Sequence, residues 1–193
     1  MPVLKLAAVF ANRRDTQEET GEEHLTFNAI ADPTDHLPFA SLVLSASPKL
    51  IALNEQLCVG LYLVSERAML NRPLDELSHG DLPASVGIFP VIAKPGLDAL
   101  SADTHWREVH GPLALKVHSA MTHYYQLQIV HRFFGPAWHG LALCCFDSEQ
   151  ALREKMYSSA EGKRQITQDI LTFADTKNSP RKVVAEVAKS ESS

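Results

Sequence analysis

Six of the nine histidines in this 193-residue chain, His105, His110, His118, His123, His131 and His139, fall within 35 residues of one another, among Trp106, Tyr124, Tyr125 and Trp138. Imidazole is the side chain whose ordinary pKa lies nearest neutrality, so proton transfer is the chemistry to seek here. Metal binding is not expected, because no HExxH occurs and no other histidine spacing brings a carboxylate partner. His105, His118 and His123 stand at the ends of predicted elements, where capping or solvated histidines are ordinary. His110 differs. It follows Trp106 by one turn on the inward side of a predicted helix and immediately precedes Gly111-Pro112, where a distortion frees backbone carbonyls. Two roles stay open for it: a general acid or base, or a lock that hydrogen-bonds a freed carbonyl or a strand and fixes helix to sheet.

The strand predicted over residues 122–134 supplies the other candidates. Alternation puts Tyr124, Gln126, Gln128 and Val130 on one face and Tyr125, Leu127, Ile129 and Phe133 on the other. The second face is the greasier and is expected to pack on helices. That leaves Tyr124, Gln126 and Gln128 pointing into a space between two sheets, where a bound polar ligand would supply their partners.

These residues need a scaffold, and the second half of the chain reads as one. Residues 86–94 form a predicted strand ended by Pro95-Gly96, and 101–117 an amphipathic helix with Trp106, Val109, His110, Leu113 and Val117 on one side. Pro112 must distort that helix, since it has no amide hydrogen and its ring crowds the carbonyl four residues earlier. Strands over 122–134 and 139–146 follow, then a helix capped by Asp147 or Ser148, helix again over 165–173, and a last strand over 182–187. The order β, α, β, β, α, β is that of a ferredoxin-like antiparallel sheet with both helices on one face. Its other face is bare and apolar, so a second sheet must cover it, from a partner chain or from the chain's own first half.

The first half is less regular. Residues 2–10 and 39–45 read as strands, the acidic segment 15–23 as an exposed loop, and Pro48 opens a helix over 49–56. A strand over 59–64 leads to a helix from Ser65 to Leu70, with Glu66 at its positive end. Gly60-Leu61-Tyr62-Leu63 followed by Ser65-Glu66-Arg67-Ala68 resembles Gly140-Leu141-Ala142-Leu143 followed by Ser148-Glu149-Gln150-Ala151, which suggests a degenerate tandem repeat. The expected division is an α+β half over 1–84, a ferredoxin-like domain over 85–190 and a tail over 191–193.

Composition narrows the function classes. With 18 Lys and Arg against 23 Asp and Glu, and no basic cluster, nucleic acid is not expected as a partner. No apolar run is long enough to span a membrane, and Lys5 with Arg13-Arg14 gives the first apolar segment the reverse of a secretory peptide's charge order. Cys58, Cys144 and Cys145 lack disulfide or CxxC spacing and are expected to be reduced, in a cytoplasmic protein.

Thr104-His105-Trp106-Arg107-Glu108-Val109-His110-Gly111-Pro112-Leu113, preceded by Val86-Gly87-Ile88-Phe89 and Lys94-Pro95-Gly96, resembles the EthD family, named for a component of bacterial ethyl tert-butyl ether degradation. Similarity continues through Phe146-Asp147-Ser148 and Ser158-Ser159-Ala160-Glu161-Gly162 to Phe173-Ala174-Asp175, covering about residues 85–190. The resemblance implies a dimeric α+β barrel, with two ferredoxin-like sheets facing each other around a cavity and a homodimer as the assembly. It also implies the company of small cofactor-free cyclases, dehydratases, decarboxylases, isomerases and monooxygenases. Trp106 and His110 match the family's helix positions, whereas its common Q-N-H strand run reads Gln126-Leu127-Gln128 here, so a histidine is missing.

The resulting expectation is a cofactor-independent lyase or isomerase acting on a small aromatic or polyketide-like substrate in a barrel cavity. His110 moves the proton, and Trp106, Tyr124, Gln126 and Gln128 bind the substrate. The alternative is a non-catalytic accessory protein that holds a hydrophobic metabolite. Neither cofactor nor metal is expected.

Overall fold

The computed structural model describes residues 3–14, 23–30 and 36–190. The expected tail and all but Glu23 of the expected acidic loop lie outside them. Among the described residues eight strands close into an antiparallel barrel: β1 (Val3–Phe10), β2 (His24–Ala29), β3 (Ser41–Ser45), β4 (Gly60–Leu70), β5 (Ser85–Val91), β6 (His123–Phe134), β7 (Gly140–Phe146) and β8 (Val183–Lys189). Around the barrel the order is β1-β3-β2-β8-β5-β7-β6-β4. Each half therefore arranges its own strands as fourth, first, third, second. The halves join where β2 pairs with β8 and where β4 pairs with β6. The second sheet thus comes from residues 1–84 of the same chain, and closure needs no partner.

An eight-stranded barrel is just wide enough for side chains to fill it. All eight strands contribute, with Ala7 and Val9, Leu25 and Phe27, Leu42 and Leu44, Tyr62 and Val64, Val86 and Ile88, Tyr125 and Leu127, Leu141 and Leu143, and Val183 and Ala185 in one continuous core. The expected space between the sheets is accordingly filled. The greasier face of β6 belongs to this enclosed interior, and Tyr124 and Gln126 sit on the outer face, beneath helices. The reading of the two faces is thus corrected. The interior around β6 is apolar, whereas the helix-covered face has backbone groups for a glutamine to meet.

Four α-helical segments cover the outer face of β5, β6 and β7: α1 (Ala99–His105), α2 (Gly111–Val117), α3 (Glu149–Glu154) and α4 (Ala160–Phe173). Asp98 caps α1, Ser148 caps α3 and Ser159 caps α4, each side chain accepting a first-turn amide. Between α1 and α2 the backbone makes a π-helical turn over Trp106–His110, closed by the Gly111 N–H donating to the Trp106 carbonyl. Pro112 lies just past this turn, which is the distortion its missing amide requires. The turn also rotates Val109 out to solvent, whereas a regular helix would bury it with Trp106 and His110.

The first half differs from its sequence reading in three places. The expected helix over 49–56 is one short 3-10 turn, Pro48–Ala52. The expected helix from Ser65 is the continuation of β4, which pairs with β6 as far as Leu70. Glu66 explains this, because it turns inward to meet Lys5 Nζ at 2.7 Å and the Leu74 amide at 2.8 Å. β2 was not foreseen at all. The Gly60 and Gly140 segments are also not equivalent strands, since β4 is the fourth strand of its half and β7 the third of its own.

Candidate active site

The outer face of the second sheet and the helices above it enclose a cavity of about 230 Å³. Its floor is Phe89 and Val91 of β5, Tyr124 of β6, and Ala142 and Cys144 of β7. Its roof includes Trp106, His110 and Ala114 with Ile166, Ile170 and Phe173 of α4.

Trp106 is seated by its surroundings. Its ring lies directly on Gly140, where a β-carbon would fall 2.5 Å from a ring carbon and 2.8 Å from the Leu127 carbonyl oxygen, so only glycine permits the approach. Its carbonyl, already bonded to the Gly111 amide, also accepts a hydrogen bond from Gln126 Nε2 at 2.8 Å. From β4, Arg67 forms a largely buried ion pair with Asp103 of α1 and places its guanidinium 5.5 Å from the Trp106 ring centre. The π turn is thus held from the sheet below and from the first half of the chain.

His110, the last residue of the turn, donates from Nδ1 to Asp169 Oδ2 at 2.7 Å. His105 Nε2 donates to the other oxygen, Asp169 Oδ1, also at 2.7 Å. Phe173 packs against both imidazoles, with ring centres 5.1 and 5.3 Å away. Burial alone would raise the pKa of Asp169, but the hydrogen bonds and charges of His110 and His105 together outweigh it and hold the carboxyl below its usual value. An ionised Asp169 fixes the tautomer of His110 with the proton on Nδ1. Nε2 is then the nitrogen left for the cavity that His110 lines. This is the geometry of an oriented base, in which the carboxylate holds the ring and stabilises the imidazolium that forms.

The remaining lining sorts by protonation. Burial pushes the Cys144 thiol up to about 12 and raises the Tyr124 phenol above its usual value, so both stay protonated near neutrality. Cys144 is no thiolate nucleophile. All three cysteines are buried, and Cys144 and Cys145 point to opposite faces of β7. His118 lines the cavity from the far end of α2 and bonds the Met156 carbonyl through Nδ1. Its burial is the largest influence on the ring and holds its pKa below the usual histidine value, against the opposing pull of that hydrogen bond.

Of the five residues singled out from the sequence, His110, Trp106 and Tyr124 line the cavity. Gln126 is fully buried beneath the π turn and supports it rather than lining the cavity. Gln128 faces a separate cavity of about 40 Å³ across Trp106, together with Asp103 and His139. Asp169, and the pairing of His105 with it, were missed. The sequence did carry a signal for Asp169: a carboxylate inside the apolar stripe Ile166, Ile170, Phe173 of an amphipathic helix.

Comparison with known proteins finds two likenesses. The family model of the EthD domain matches residues 94–177, a span that contains the helices, β6 and β7 of the site just described but not Phe89 and Val91 of β5 or Arg67 of β4. A crystal structure titled as that of an anthrone oxidase-like protein superimposes with a TM-score of 0.62 at 11% identity, covering 98% of this chain and 93% of the other, which is a likeness of fold. No curated protein matches the sequence. Among the described residues no helix is long and apolar enough to cross a membrane, and no cluster of three or more His, Cys, Asp or Glu side chains is placed to hold a metal ion.

Proposed function

We propose that this protein is a cofactor-independent enzyme of the lyase or isomerase type, which moves a proton on a small, partly aromatic, polyketide-like ketone or phenol bound between sheet and helices. The observation that carries the reading is the His110–Asp169 pair on the wall of an apolar cavity. His110 Nε2 takes a proton from an acidic C–H or O–H, and the electron pair of that bond passes into the conjugated ring or carbonyl. Asp169 balances the imidazolium, which returns the proton to another carbon in an isomerisation or to a departing hydroxyl in a dehydration. Dry walls strengthen this pairing, because charges interact more strongly where water is excluded.

Size fits the class. A cavity of about 150 Å³ accepts benzene, so one of about 230 Å³ suits one to two fused rings. The fold likeness to an anthrone oxidase-like protein supports the same chemistry, since an anthrone is an aromatic ketone with an acidic methylene. The shared strand order of the two halves supports reading each as a ferredoxin-like unit of one barrel.

The test is hydrogen–deuterium exchange at C1 of 2-tetralone, followed by NMR in deuterated buffer. The wild-type protein is expected to accelerate exchange, and His110→Gln and Asp169→Asn to lower that acceleration by roughly 100-fold to 10,000-fold with the fold intact. Binding of 2-tetralone without acceleration would instead favour a protein that stores or delivers a hydrophobic metabolite.

A further inference from the structure

We propose that His118 reads a hydroxyl group on the ligand, at the end of the cavity remote from His110, so that the substrate class is a hydroxylated aromatic and not an unsubstituted or O-methylated one. This deepens, and rests on, the proton-transfer reading of the same cavity.

Both histidines line the cavity from one helix, with α2 between them. Eight residues of helical rise place their α-carbons about 12 Å apart along the helix, on the scale of a fused-ring ligand with a substituent at its far end. The two rings face different surroundings. His110 is held by a carboxylate, whereas His118 has its Nδ1–H committed to the Met156 carbonyl and the Tyr157 ring 5.4 Å away. In the neutral ring this leaves Nε2 as a lone-pair acceptor. Among the described residues no hydrogen bond is made to it, and Met156, Tyr157, Cys144 and Ile166 line the same cavity.

When a ligand fills the cavity and displaces water, an acceptor on a largely apolar wall is satisfied only by a donor on that ligand. A phenolic O–H is such a donor. An ether or ketone oxygen brings only lone pairs, which repel the nitrogen and leave both groups desolvated.

The experiment is calorimetric titration of the full chain with 2-naphthol, 2-methoxynaphthalene and naphthalene. The wild-type protein is expected to bind 2-naphthol about tenfold more tightly than 2-methoxynaphthalene, the scale of one hydrogen bond. His118→Phe is expected to erase the preference while retaining naphthalene, and His110→Gln to keep it. Equal binding of 2-naphthol and 2-methoxynaphthalene by the wild-type protein overturns the proposal and needs no variant, so it stands even where His118→Phe fails to fold. A preference that survives His118→Phe and vanishes in His110→Gln also overturns it, assigning the hydroxyl to the His110–Asp169 pair and leaving the proton-transfer reading intact. Failure of all three probes to bind overturns the cavity reading and this proposal together.

Discussion

Residues 3–70 and residues 85–189 each supply four strands in the same order to one barrel, and the cavity that His110 lines lies over the second half. The difference is in what lies outside the sheet. Over the first half the outer face carries Leu6, Ala8, Phe10, Val43 and Leu61, packed with Leu50 of the 3-10 turn and Cys58. Over the second half four helical segments stand off the sheet, and α1 and α2 are joined by a turn that presents Trp106 and His110 inward. The strands make a shared interior, and the helices make the site. The candidate site therefore lies in one half although the framework belongs to both.

This contrast can be broken at three levels. The largest effect is expected in the shared interior, where Leu42→Ala in β3 and Leu141→Ala in β7 remove fully buried side chains from one core. Each should cost about 2–5 kcal/mol in denaturant unfolding, with a single transition for both variants. Two separate transitions would mean that the halves unfold as independent units.

An intermediate effect is expected at Gly140. The β-carbon of Gly140→Ala presses on the Trp106 ring and the Leu127 carbonyl, and should cost about 1–3 kcal/mol and weaken ligand binding. Unchanged melting and unchanged affinity would show that Trp106 does not need its seat on the sheet.

The smallest effect is a dependence on mild acid confined to the second half. His118, His123 and His139 all have pKa values lowered from the ordinary 6.5, with burial the largest cause in each. Between the lowered values and 6.5 the unfolded chain binds more protons than the folded one. Their contribution is thus complete above about pH 6.5 and is lost as the pH falls through the lowered values. Amide exchange between pH 7 and 5.5 should show protection falling first near α2 and the starts of β6 and β7. Equal loss in β1 and β3 would contradict the assignment. A second loss belongs to Asp169, whose lowered pKa places it below about pH 3.9.

Much of the second half could be read in the sequence because period and punctuation agreed there. Ser148 as a cap, Pro95-Gly96 as a turn and the alternation of β6 all act locally. The facing of β6 depended on tertiary context. Greasiness said that Tyr125 and Leu127 were buried, but not whether under helices or inside a barrel. Ser65-Glu66 looked like a helix start because the pair fits a cap, whereas the partner that decides for strand, Lys5, is 61 residues away. His110 stood out from its neighbours Trp106 and Pro112. Asp169, 59 residues on, was visible only as a misplaced charge in a helix stripe, and its meaning came with the fold.

The π-helical turn also has a genetic reading. Such a turn corresponds to one residue inserted in an α-helix, and each α-helical residue advances the chain by about 100°. Loss of a single codon between Trp106 and Gly111 would leave the composition of the helix almost unchanged, yet it would swing the side chains after the deletion by about that angle against those before it. Trp106 could keep its place on Gly140 only if His110 left Asp169. A chain reading frame shortened by one residue here would conserve the barrel and dismantle the pair, which makes the length of this short segment as informative about activity in related sequences as the identity of its histidine.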